Sequence, residues 1–184
     1  MSVADRSIDP RIMESAKGEF LQKGFLDASL QEICKNAGVT TGALYKRFKG
    51  KEELFCALVE STVQDLEEVV RQKSVLPATL TDEQLKKAWD MDREYMQWWF
   101  NYLYDRYDEM RLLLVFSDGT KYANFEHEWV EGMSHTTYAY YKEAQKRGLT
   151  KTVISEEELH VMLSSFWTAI CEPLIHGFTK EEAG

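Results

Sequence analysis

Apolar residues return along this chain at intervals of three and four, and no stretch alternates in the period-2 manner of a half-buried strand. The first stripe, Ile12, Met13, Ala16 and Phe20, predicts a helix over 10–23, with Asp9 as its cap and Pro10 in its first turn. Gly24 is suited to end it, with Phe25 folding back onto it. A second stripe, Leu30, Ile33, Cys34 and Ala37, follows Ser29. Glu32 lies three residues beyond Ser29, which predicts a capping box in which each side chain accepts from the other's backbone N–H. Gly38 makes a turn, and a short third helix runs from Thr40 or Thr41 to about Phe48. The fourth opens near Lys51, where Glu52 and Glu53 suit its positive end. It turns Leu54, Phe55, Leu58 and Val59 inward and stops before Pro77.

The second half predicts helices over 81–105, 108–116, 120–146 and 155–177. Ser117-Asp118-Gly119 forms a turn, Gly148 ends the third of these helices, Ser155 caps the last, and Pro173 bends or shortens it. The expected fold is all-α. An N-terminal three-helix helix-turn-helix module over 1–50 is joined through a long helix 4 to a helical body over 51–184. Neither a repeat nor a low-complexity linker separates them, so the break falls inside a continuous helix.

Charge sharpens this division. Residues 1–51 carry nine Lys/Arg against six Asp/Glu, a balance of +3, and the remainder carries −12, within a net charge of −9. An acidic protein that keeps one cationic end can present that end to phosphate. A hydrophobic content of 44% is ample for a core, yet no run of about 18 apolar residues exists. The three cysteines show no metal spacing, and the N-terminus is polar and acidic. A reducing, cytoplasmic setting without membrane attachment is expected.

Gly38-Val39-Thr40, then Leu44-Tyr45-Lys46-Arg47-Phe48, then Lys51 and Leu54, resembles the TetR family of bacterial transcriptional repressors. The similarity covers about residues 8–56. A Gly-Phe end to helix 1, a Ser-capped helix 2, a Gly-Val turn, a Tyr-x-x-Phe ending and a Lys opening helix 4 agree at once. Gly50 departs from the family's usual Ser or Asn cap. The resemblance implies that helix 3 enters the major groove of a palindromic double-stranded operator. Thr40, Thr41, Gly42, Ala43 and Tyr45 match its reading positions. Lys46, Arg47 and Lys51 match phosphate or guanine contacts, and Ser29 and Gln31 match backbone contacts at the start of helix 2. Leu44 and Phe48 read as core.

The body is less legible. Residues 89–107 hold eight of the chain's 23 aromatic residues. The resemblance implies a pocket for a small hydrophobic, aromatic or cationic effector, with Trp89, Tyr95, Met96, Trp99, Tyr102 and Leu103 as candidate lining residues. It also implies a homodimer through the last two helices, with Leu159, Met162, Leu163, Phe166 and Ile170 at the interface. The expected function is a transcriptional regulator, a repressor released by a ligand. The alternative is an ungated dimeric DNA-binding or protein-partner module. Catalysis, metal and cofactor are not expected. Glu157-x-x-His160 has the spacing of a di-iron motif but lacks a second copy, and His127-Glu128-x-x-Glu131 lacks the second His of a zinc site.

Overall fold

The computed structural model describes residues 8–74, 76–77, 79–87 and 92–184. Ten helices and no strand occur among the described residues. They are α1 (Ile8–Asp27), α2 (Leu30–Ala37), α3 (Thr41–Tyr45), α4 (Lys51–Ser74), α5 (Asp82–Lys87), α6 (Arg93–Asp105), α7 (Tyr107–Val115), α8 (Phe125–Lys146), α9 (Glu156–Ile175) and α10 (Lys180–Ala183). The chain forms two compact units. One takes the residues up to Val63 together with Tyr107–Asn124; the other takes Gln64–Arg106 and Phe125–Gly184. Helix α4 contributes its first half to one unit and its second half to the other.

The first unit is built on an apolar centre in which Ile12, Ala16, Phe20, Ile33, Leu44, Leu54 and Phe55 are fully buried. Phe20, Phe25 and Phe55 close a triangle of rings with centroids 5.2–6.1 Å apart. Each buried phenyl contributes about 1.5–3 kcal/mol, and the edge-to-face contacts add to that. Gly24 breaks the α1 spiral at φ 73°, ψ 170°, a conformation that only glycine adopts without strain. The break frees the Phe25 N–H to donate to Phe116 O at 3.0 Å. Helix α7, distant in sequence, is thereby part of this unit. It buries Met110, Leu112 and Leu113 and pairs Asp108 with Lys17 at 3.1 Å.

Three sequence expectations change in detail. The capping box of α2 is only half present. Ser29 Oγ accepts from Glu32 N at 3.5 Å, but the Ser29 N–H donates to Glu19 Oε1 at 3.0 Å. Glu32 instead faces Lys35. The segment expected to open a helix at residue 120 is a polar turn, and α8 starts at Phe125. There Thr120 Oγ1 donates to Ser117 O at 2.7 Å and accepts from Tyr122 N at 3.0 Å. Lastly, the helix expected over 81–105 restarts at Arg93. Asp92 is extended, at φ −64° and ψ 171°, and its carboxylate caps Tyr95 N at 2.8 Å. Its middle, 88–91, lies outside the described residues.

The second unit packs α8 on α9 and α5 on α8. Trp99 of α6, Trp129 of α8 and Trp167 of α9 meet at its centre with centroids 5.3–6.0 Å apart. Ser155 and Glu158 form the complete capping box of α9. Pro173 sits near its end, and the helix reaches Ile175. The short α10, absent from the sequence reading, has its own capping box from Thr179 and Glu182.

Candidate nucleic-acid interface

The corner formed by α2, Gly38 and α3 sorts its residues by face. Ile33, Cys34, Ala37 and Leu44 point inward and are buried. Gln31, Thr40, Thr41, Gly42, Tyr45 and Lys46 are exposed, while Ser29, Ala43, Arg47 and Lys51 are half-buried. Two devices set this orientation. Gly38 takes the left-handed conformation, φ 65° and ψ 38°, and returns N–H bonds to the end of α2. Thr40 then caps α3 through its hydroxyl, which accepts from Ala43 N at 3.2 Å. Ser15 Oγ donates to Ile33 O at 2.9 Å, pinning α2 to α1. The outer face carries two threonines, an amide, a glycine gap, a lysine and Tyr45, a ring 53% exposed. This set offers donors, acceptors and methyl groups to base edges and one cation to phosphate.

Two expected cations are held internally. Lys51 Nζ donates to Leu26 O at 2.9 Å and to Ala28 O at 3.0 Å, and lies 4.7 Å from the centre of the Phe25 ring. It fastens the α1–α2 corner to the start of α4. Arg47 pairs with Asp9 and donates to Ala43 O at 3.1 Å, so it ties α3 back to α1. Lys46 has no ion-pair partner among the described residues. Glu19, which sequence periodicity did not single out, is a buried acid beneath this corner. Burial works against its charge, but Lys23 at 2.8 Å and the Ser29 N–H outweigh burial and hold its carboxyl below the usual range. No spacing rule marks Glu19, because its partners come from its own helix and from the start of the next.

In the second unit the expected ligand residues differ in exposure. Trp99 and Leu103 are 3% and 1% exposed and belong to the core. Trp99 touches Tyr95, Trp98, Tyr102, Trp129 and Trp167. Tyr95, Met96 and Tyr102 are half-buried, and Trp89 lies outside the described residues. The hydroxyl of Tyr102 and the indole N–H of Trp167 are buried without a hydrogen-bond partner among the described residues. A hollow of about 320 Å³ occurs elsewhere, among α5, the end of α8 and the segment 149–154. Of the expected dimer residues, Met162 is 61% exposed and Leu163, Phe166 and Ile170 are half-buried. Leu159, also expected at the dimer interface, is only 3% exposed. Val161, not singled out by sequence, is 63% exposed beside Met162. Among the described residues no cluster of His, Cys, Asp or Glu could hold a metal, and no helix is long and apolar enough to cross a membrane.

A buried three-helix support carrying an exposed second helix, glycine turn and short third helix defines a helix-turn-helix module. Residues 12–58 match the family model described as bacterial regulatory proteins, tetR family, so this module is similar to that family's. The chain is 42% identical over 57 residues to the HTH-type transcriptional regulator SrpR of Pseudomonas putida, a match covering 31% of this chain and 27% of that protein. It is 46% identical over 59 residues to the regulator AcrR of Shigella flexneri, covering 30% and 27%. These matches take in about a quarter of each relative's length. The fold likeness reaches further. A Clostridium perfringens protein described as a putative fatty acid metabolism regulator superposes with TM-score 0.60 at 21% identity, covering 90% of this chain and 84% of that one. The TetR family regulator PfmR of Thermus thermophilus gives TM-score 0.61 at 17% identity, covering 96% and 88%.

Proposed function

We propose that this protein is a dimeric transcriptional regulator that reads a palindromic DNA operator with α3 and is released from it by a small ligand. The reading rests on one observation above others. The family-matched corner turns its apolar residues inward and leaves Gln31, Thr40, Thr41, Gly42, Tyr45 and Lys46 in solvent on one face. Thr41 and Tyr45 are the base readers in this reading, and Lys46 meets phosphate. The first unit does the reading; the second carries dimerisation and effector response. The exposed Val161 and Met162, with Leu163, Phe166 and Ile170 beside them, offer α9 as the surface for a second copy. Two copies would place two reading helices about one DNA turn apart, which doubles the contacts. A ligand that favours the released state by about 1.4 kcal/mol suffices to weaken DNA binding tenfold.

Selection from random duplexes followed by gel shift tests this. Inverted repeats should emerge, Thr41→Ala should relax preference at one position per half-site, and Lys46→Ala should weaken all sites alike while lowering the salt slope by about 1. Enrichment of only non-palindromic sites, or of none, would count against the reading.

A further inference from the structure

Eight Lys and Arg residues lie between residues 8 and 51, and the structure divides them into two groups. Five are engaged within the protein. Lys17 meets Glu14 at 3.3 Å and Asp108 at 3.1 Å, Lys23 meets Glu19, Lys35 meets Glu32, Arg47 meets Asp9, and Lys51 donates to two carbonyls. The side chains of Arg11, Lys46 and Lys49 have no ion-pair partner among the described residues. Lys46 and Lys49 follow α3 in the chain. Arg11 belongs to α1, yet its Nη1 stands 3.8 Å from where a Cβ on Gly38 would be, at the turn that leads into α3. The unpaired cations of this corner therefore lie off the two ends of the third helix.

The acids nearest Arg11 along α1 are committed to other cations. Glu14 occupies the i+3 position from which it could pair with Arg11, and turns to Lys17 instead. Asp9 pairs with Arg47 just past the end of α3, which fixes the first turn of α1 beside the reading helix. Arg11 is exposed, so its guanidinium keeps its charge in water without a desolvation cost. An exposed arginine alone is an ordinary surface residue; its placement here adds to that. Helix α3 has five residues and is about 7.5 Å long, shorter than the roughly 12 Å width of a major groove. Contacts to the phosphates that bound the groove then fall to side chains beyond its ends. We propose that Arg11 is a DNA-backbone contact, its guanidinium binding one phosphate on the Gly38 side of the groove that α3 enters, while Lys46 and Lys49 serve the other end. This rests on the proposed function, since α3 must read DNA for it to hold. It adds a contact from α1, one position ahead of the stretch 12–58 that matches the family model. A phosphate contact fixes register and carries no base preference.

The test titrates the full-length protein against the duplex recovered by selection, over roughly 50–200 mM salt. Arg11→Gln should lower the salt slope by about 1 and weaken binding about eightfold at about 0.1 M salt. The loss should be the same for the selected duplex and for one-base variants of it. Urea midpoints should not move, because the side chain is exposed; if Arg11→Gln nonetheless loses its helical circular dichroism, Arg11→Ala takes its place. Arg11→Lys should retain most of the affinity. Lys17→Gln removes the same charge from the same helix at a paired position, and should leave the slope as it is. A scan of the duplex with single methylphosphonates then locates the contact. One phosphate per half-site should weaken the parent when neutralised and leave Arg11→Gln unaffected. An unchanged slope in Arg11→Gln, an equal fall in Lys17→Gln, or a scan in which parent and Arg11→Gln respond alike at every phosphate overturns the contact. Altered base preference in Arg11→Gln overturns its assignment to the backbone. A parent that binds no duplex refutes the proposed function, and this contact with it; a parent that binds while Arg11→Gln matches it refutes the contact alone.

Discussion

Replacing Lys51 by Met keeps most of the side-chain stem and removes the ammonium, and the structure makes the outcome specific. That ammonium donates to the carbonyls of Leu26 and Ala28, and it faces the Phe25 ring at 4.7 Å. A hydrogen bond from a charged donor is worth about 1.5–3 kcal/mol, and a cation over a partly exposed ring about 0.5–1 kcal/mol. The bond to Leu26 is exposed, so water replaces it; the bond to Ala28 is partly buried, so its loss is felt. The expected net loss is about 2 kcal/mol. Urea denaturation followed by circular dichroism should show a lower midpoint at unchanged slope. Amide exchange at Ala28 and Ile33 should speed up by roughly thirtyfold, at 1.4 kcal/mol per factor of ten. The salt dependence of DNA binding should stay as it is, because the ammonium is engaged within the protein. A phosphate clamp at this position would instead lower the salt slope by about 1. Unchanged stability together with a lower slope would refute the internal-fastener account.

Three further outcomes are expected. Gly119→Ala should destabilise the first unit by roughly 1–2 kcal/mol, since Gly119 has φ 85° and a Cβ there would stand 2.5 Å from a Leu26 methyl. Thermal melts of Gly119→Ala in a Leu26→Ala background should retain most of the loss, because the backbone strain persists without the clash. Glu19 contributes its charge-dependent stability in full above the ordinary glutamate range, and that contribution is lost as pH falls through its lowered native value. Glu19→Gln should therefore be less stable than the parent at neutral pH and lose less on acidification below about pH 4.5, as read from urea midpoints across pH. Tyr102→Phe removes a buried hydroxyl that has no partner among the described residues and leaves the ring on which Arg106 rests at 4.2 Å. Calorimetric unfolding should show a neutral change or a gain of up to about 1 kcal/mol; a loss of that size would mean the hydroxyl is satisfied.

The parts of the molecule legible in the sequence are those whose signals are local. Gly38, the start of α3 at Thr40–Thr41, the Ser155 cap and the opening of α4 at Lys51 each depend on residues within one or two turns, and each is where periodicity and cap chemistry predict. The misreadings share a different cause. The Ser29 N–H has a local acceptor in Glu32, yet the buried Glu19, brought in by tertiary packing, takes that bond. The aromatic run around Trp99 has the composition of a ligand wall, and composition does not separate a wall from a core. Contacts with Trp129 and Trp167, thirty and more positions away, are what bury Trp99. The hollow near Tyr141 is invisible in the sequence for the same reason, since its walls come from three separate stretches of the second unit.

The joining of Tyr107–Asn124 to the N-terminal residues has a consequence for how such proteins can be recombined. The stretch that matches the family ends at residue 58, but the body that folds around it also needs the Phe116 carbonyl that receives Phe25 and the Lys121 and Tyr122 groups that meet Glu52 and Glu60. A chimera cut after α3 or within α4 therefore transplants a surface without its foundation. An exchange of this unit between two chains of this fold needs three seams, one in α4 and one on either side of α7 and its turn. Sequence drift in that internal stretch is then constrained by the N-terminal helices it supports, even though it lies among residues that otherwise belong to the other unit.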